Sequence, residues 1–207
     1  MLEWIKANSQ MLNAWLNLGM LIVWIAYLQI FILNYRRQRR ANILINVGGG
    51  TGWDTKCLVS NMSSEAIYVQ GILVEAEGRH GRSACFVTEL DDVEAWERPT
   101  DLNLWTRQGP LGSGEVRDMG AVRLLLEHVL QRGQLGDGAP RRLEDIAEMT
   151  VTVCAVYTSE DLLVGARRRF QLDGGGGDAK LRPATIGTRQ IHSRRQRRRL
   201  EILPESG

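Results

Sequence analysis

The sequence predicts a mainly β protein in which a single N-terminal transmembrane helix precedes a cytosolic β-sandwich with one inserted helix. Three observations carry this. Residues Ala7 to Tyr35 contain no Lys, Arg, Asp or Glu, a run of 29 residues. Beyond Arg40 the apolar residues fall mostly in short segments of two-residue period, separated by Gly, Ser, Asn and Asp, as half-buried strands and their turns require. One later segment carries helical spacing instead. Composition excludes other classes: 43% apolar residues exceed what a disordered chain holds, and three Cys in 207 residues are too few for a disulfide scaffold.

The uncharged run is apolar from Leu18 to Leu33 except for Gln29, and extends back through Leu16, Trp15 and Leu12. As a helix, Leu12 to Leu33 spans roughly 33 Å at about 1.5 Å per residue, enough for a bilayer core of about 30 Å. The predicted span is 11–35, with Trp15 and Tyr35 where interfacial aromatics belong. Arg36, Arg37, Arg39 and Arg40 follow it and nothing comparable precedes it, which is the reverse of a cleaved signal peptide. The positive-inside rule therefore puts residues 36–41 in the cytoplasm as a juxtamembrane cluster and residues 1–10 outside. Asn13 and Asn17 lie four apart on one helical face; they either bond a partner helix or sit in the interfacial zone.

Strands are expected in order at Asn42 to Val47, Thr55 to Asn61, Ala66 to Glu77 with a bend or bulge at Gly71, and Ser83 to Glu89 after the turn Gly78-Arg79-His80-Gly81. An acidic loop, Asp91 to Asp101, comes next, carrying Trp96 and followed by Trp105; these two rings either anchor a partner or pack over the sandwich edge. Asp118 is a candidate cap for a helix with Val122, Leu125, Leu126 and Val129 on one stripe, and Gly133 ends it. The clearest hairpin is last. Met149 to Tyr157 alternates, Ser159-Glu160-Asp161 turns, and Leu162 to Leu172 returns, although Arg168 falls among the apolar positions of that strand.

Leu58-Val59-Ser60-Asn61-Met62-Ser63 with Ala66-Ile67-Tyr68-Val69 resembles the paired early strands of immunoglobulin-like domains. Gly114-Glu115-Val116-Arg117-Asp118 resembles the edge before a later strand. The whole chain, from Met1-Leu2-Glu3-Trp4 through the span, resembles an uncharacterised group of small single-span bacterial membrane proteins. That resemblance implies an immunoglobulin-like sandwich over 42–172, a bacterial inner (plasma) membrane location, and no particular activity.

Charge is distributed unevenly. The net of +2 conceals an acidic body, with 13 basic and 19 acidic residues between 41 and 170, set between Arg36–Arg40 and a C-terminal segment of eight basic and four acidic residues. That segment, 173–207, is expected to be a flexible basic tail. It opens on Gly174 to Gly177, a flexible linker composition, and contains Arg194, Arg195, Arg197, Arg198 and Arg199. Beside a membrane such a cluster suits anionic lipid headgroups or an acidic partner. RNA is the second choice, because no aromatics are interleaved for base stacking.

No catalytic, cofactor or metal set emerges. Gly48-Gly49-Gly50-Thr51-Gly52 lacks both the Lys-hydroxyl ending of a phosphate loop and the third-glycine position of a dinucleotide fingerprint, where Trp53 stands. His80, His128 and His192 have no nucleophile in a recognised frame, and Asp91, Asp92 and Glu94 lack calcium-loop spacing. Cys57, Cys85 and Cys154 form no zinc pattern. The sequence thus points to a non-enzymatic, membrane-anchored binding or adaptor module, probed chiefly by another protein and by lipid. Two alternatives stay open: a membrane-tethered nucleotide-binding or hydrolytic enzyme built on Gly48–Gly52 with the acidic loop, and RNA binding through the tail.

Overall fold

A computed structural model describes residues 8–38, 41–89, 106–136, 138–157, 163–173 and 180–191; the side chains of 36–38 and 134–135 are outside the description. The chain divides into two compact units, Met1–Arg40 and Ala41–Gly207.

In the first unit, helix α1 runs Ser9–Gln38. Its stretch Ser9–Tyr35 is long and apolar enough to cross a membrane, and none of that stretch is buried against the protein. Apolar side chains are exposed all around it, including Trp15, Leu21, Trp24 and Phe31, so the apolar surface is not the single stripe of a helix on a soluble core.

The second unit is an antiparallel β domain. One sheet has three strands in the order β1 (Ile43–Gly48), β2 (Lys56–Asn61) and β6 (Val116–Ala121). The other is built on the path β10 (Lys180–Pro183), β9 (Leu163–Asp173), β8 (Ile146–Tyr157), β3 (Ile67–Gly78), β4 (Arg82–Val87) and β7 (Gln134–Leu135). In addition, β5 (Gly109–Leu111) pairs with β3 and β11 (Arg189–Ile191) pairs with β9. Alternation decides the core. Ile43, Ile45, Cys57 and Val59 of the small sheet share one buried cluster with Ile72, Val74, Met149, Val151, Val153 and Phe170 of the large one.

Three strands cannot cover eight, and the missing cover is helix α2 (Val122–Arg132). Its buried stripe, Val122, Leu125, Leu126 and Val129, joins the same core. Gly133 ends it, as expected, and its own reason is space: a Cβ there would collide with the Ser83 hydroxyl and the Val129 carbonyl. Asp118 is not its cap. Asp118 sits inside β6, accepts the Gly120 N–H at 2.7 Å and pairs with Lys56 at 2.6 Å, and the residue before the helix is Ala121.

The predicted long strand bulges where expected: the register with β8 shifts between Val69 and Gly71. Gly71 has φ of 152°, and a Cβ would lie 2.8 Å from the Phe86 ring. The β8–β9 hairpin pairs Glu148 with Gln171 through Val156 with Leu163. Two segments go beyond expectation. Gly109-Pro110-Leu111, where no strand was anticipated, is one, because β3 extends past the end of β4 and offers its backbone to it. Residues 180–191 are folded rather than flexible, forming β10 and β11 on β9.

Candidate functional site

The open side between β1 and β9 concentrates the unusual chemistry of the domain. β1 has β2 on one edge and no strand on the other among the described residues. Side chains take the place of that strand. The Ile43 N–H donates to Gln190 Oε1 at 3.1 Å, and Gln190 Nε2 donates to the Ile43 carbonyl at 2.6 Å. Two residues on, the Ile45 N–H donates to Thr188 Oγ1 at 3.1 Å. A carboxamide presents an N–H donor and a carbonyl acceptor in one plane, as a peptide group does, so Gln190 satisfies an edge residue as a neighbouring strand would.

Arg168 completes the closure. Its Nη1 donates to the Ile45 carbonyl at 2.5 Å and to Asn46 Oδ1; its Nη2 reaches the carbonyls of Ile186 at 3.2 Å and Thr185 at 3.4 Å. The guanidinium also lies over the Phe170 ring, 5.6 Å from its centre. An arginine at an inward position of β9 is therefore a stitch between the sheets, with its stem over the core and its head on backbone carbonyls. On the opposite side, Arg117 of β6 plays a similar part, donating to the carbonyls of Gln108 at 2.8 Å and Pro110 at 2.6 Å. Burial lowers its pKa from the ordinary arginine value, against the opposing pull of Glu115 and Tyr68.

These bonds fix where the chain enters and leaves. Ala41 opens the domain beside Ser63, whose Oγ accepts the Asn42 N–H at 2.9 Å. Ile191, the last described residue, pairs with Gly165 at the same end of the large sheet. Entry and exit strands are thus neighbours, cross-linked by residues 147 positions apart in sequence.

A second anomaly lies at Arg107. It is 3% exposed, yet its Nε and Nη2 have no hydrogen-bond partner among the described residues. Burial pushes its pKa down to about 10, opposed by Asp118 and then Cys57, so it stays charged at neutral pH. Burial in turn pushes the Cys57 thiol up to about 12, with Arg107 pulling the other way. Cys154 is also raised to about 12 by burial. All three cysteines are buried thiols.

The residues predicted from sequence are only partly in view. Arg36 and Arg37 belong to the backbone of α1, with their side chains outside the description, and Arg39 and Arg40 lie outside it entirely. Trp96, Trp105, Asp91, Asp92, Glu94 and Arg194 to Arg199 also lie outside the described residues. Gly48–Gly52 is visible: it joins β1 to β2, whose register closes at Gly48 opposite Lys56, and leads into a single turn of 3-10 helix, Gly52–Asp54. Among the described residues no group of three or more His, Cys, Asp or Glu gathers as metal ligands. Sequence reasoning missed Gln190 and Thr188, which carry no signal in a basic polar segment. Arg168 did carry one, as a charge at an apolar position of a strand.

Comparison of the chain with protein-family models, with curated proteins and with solved structures finds no match.

Proposed function

We propose that this protein is a single-pass, membrane-anchored binding module. In this reading α1 crosses a bacterial inner membrane with the N-terminus outside, the domain is a cytosolic immunoglobulin-like β-sandwich that engages a protein partner, and the Arg-rich C-terminal segment contacts anionic lipid of the same leaflet. Two antiparallel sheets around one core support the sandwich, and the length and apolarity of α1 support the span.

One observation carries the lipid assignment: the double hydrogen bond between Gln190 and Ile43. Arg40 stands three residues before Ile43, and Arg194 four after Gln190. At 3.3–3.6 Å per residue, these are no more than about 11 and 14 Å of chain. Two arginine clusters distant in sequence therefore each stand a few residues along the chain from one hydrogen-bonded pair, and the first directly follows the apolar stretch. Anionic headgroups attract each basic residue near the surface by about 1 kcal/mol, screened by salt. A polybasic segment tethered there needs no base-stacking aromatics, which favours lipid over RNA.

Sedimentation with vesicles tests this reading. The soluble fragment 41–207 is expected to bind phosphatidylglycerol-containing vesicles and release at high salt. Fragment 41–191, without the five clustered arginines, should lose on the order of a thousandfold in affinity. Equal binding by both fragments, or equal binding to uncharged phosphatidylcholine, contradicts the proposal; tight RNA binding that vesicles do not displace favours the nucleic-acid alternative.

A further inference from the structure

The loop between β10 and β11, residues 184–188, presents an apolar side chain to solvent from a backbone that is itself tied down. Ile186 is 101% exposed, whereas Met62 is 54%, Tyr68 42% and Val116 59%, the other exposed large apolar residues described in this unit. Hydrogen bonds hold the loop beneath it. The Ala184 N–H donates to the Arg169 carbonyl at 2.9 Å, Arg168 Nη2 donates to the carbonyls of Thr185 and Ile186, and Thr185 Oγ1 donates to the Gly187 carbonyl at 2.9 Å. Three consecutive carbonyls are therefore bonded within the protein. In water an exposed loop carbonyl needs no such partner; where water is scarce, each one left without a donor is costly.

The flanks of the loop are cationic. Residues 180–191 hold Lys180, Arg182 and Arg189, all exposed, and no Asp or Glu. Arg182 has Asp173 at 3.4 Å. Arg189 stands opposite Arg167 in the β9–β11 pair, and Arg167 is already bonded to Glu75 at 2.8 Å. Like charges directly opposite on neighbouring strands repel, and an anionic surface in front of them offsets that repulsion. An apolar side chain among cations fits one surface in particular: an anionic leaflet, whose phosphates take the cations and whose acyl boundary takes the isoleucine.

Chain length allows the contact. Helix α1 ends at Gln38 and Ile45 follows seven residues later, no more than about 25 Å of chain. Arg168 holds the Ile45 carbonyl with Nη1 and the Ile186 carbonyl with Nη2, so a single guanidinium separates the loop from β1.

We propose that the β10–β11 loop is a membrane-docking tip: Ile186 enters the headgroup–acyl boundary of an anionic leaflet while Lys180, Arg182 and Arg189 meet its phosphates. This rests on the membrane reading of α1 given above, and adds to it a contact made by the folded domain itself, apart from the arginines of 194–199.

Fluorescence quenching in a bilayer tests it. Gly187 has open space where a Cβ would stand, and the native thiols are buried, so Gly187→Cys accepts a fluorophore beside Ile186 without replacing it. The full chain labelled there is placed in phosphatidylglycerol nanodiscs containing lipid spin-labelled near the top of its acyl chains. Strong quenching is expected, reduced severalfold by Ile186→Ser, restored by Ile186→Leu, and reduced again by changing Lys180, Arg182 and Arg189 together to Gln or by using phosphatidylcholine. Because these side chains are exposed, the variants are expected to melt with the parent. Quenching that Ile186→Ser leaves unchanged, or no quenching in a chain that stays in the nanodisc, overturns the proposal and leaves the span standing. A chain that does not enter nanodiscs at all overturns the membrane reading, and the docking tip with it.

Discussion

Gln190 shows how much one side chain can decide. It provides both partners of one edge residue, so replacing it by Leu leaves the Ile43 N–H and carbonyl without them. An unmade buried bond costs about 1–3 kcal/mol, and Gln190→Leu is expected to destabilise the domain by that amount in urea unfolding. Gln190→Glu, which keeps an acceptor and loses the donor, should fall in between. Arg168 binds four acceptors, and Arg168→Met is expected to cost more, about 2–4 kcal/mol. The buried thiols give a pH dependence. With Cys57 raised to about 12, the native state keeps its proton while the unfolded chain releases it near 9, so this contribution is complete below pH 9 and is lost as pH rises toward 12. Cys57→Ala is expected to flatten the alkaline fall in Tm between those values; an unchanged slope would assign that fall to other groups.

Among the elements, the strands with alternating patterns were legible and those without were not. β2, β3 and the β8–β9 hairpin follow from two-residue periods, and α2 from Val122, Leu125, Leu126 and Val129. The Gly71 bulge was legible because a twelve-residue strand with a glycine near its middle has an obvious place to break register. β5, β10 and β11 were not. Each has three or four residues, two contain Pro, and all exist because a longer strand offers an edge, which is tertiary information. Asp118 misled because a capping residue and a strand aspartate look alike until Lys56 is found beside it. The chain should therefore tolerate truncation after Ile191 with its Tm unchanged. Truncation after residue 179 removes β10, β11 and the Gln190 and Thr188 bonds, and is expected to unfold or aggregate the domain through the bare β1 edge. Comparable melting of the two truncations would show the segment to be dispensable.

For the whole molecule, the net charge of +2 is a cancellation: an acidic body between two basic clusters. Their position along the chain was readable, but the hydrogen-bonded closeness of Ile43 and Gln190, each a few residues in sequence from one cluster, was not. The burial of Arg107 was equally hidden, because burial of one arginine among 26 basic residues leaves no mark on the sequence. In the proposed function the domain is tethered beside a leaflet and the C-terminal arginines meet that same leaflet. The buried state of Cys57, Cys85 and Cys154 permits a direct measurement, since a cysteine introduced as Ser193→Cys is the one to label under native conditions. The full chain carrying a fluorophore there is placed in phosphatidylglycerol nanodiscs containing headgroup spin-labelled lipid. Strong quenching that weakens at high salt and in phosphatidylcholine is expected; emission indifferent to the spin label under all three conditions would contradict contact between these arginines and the leaflet.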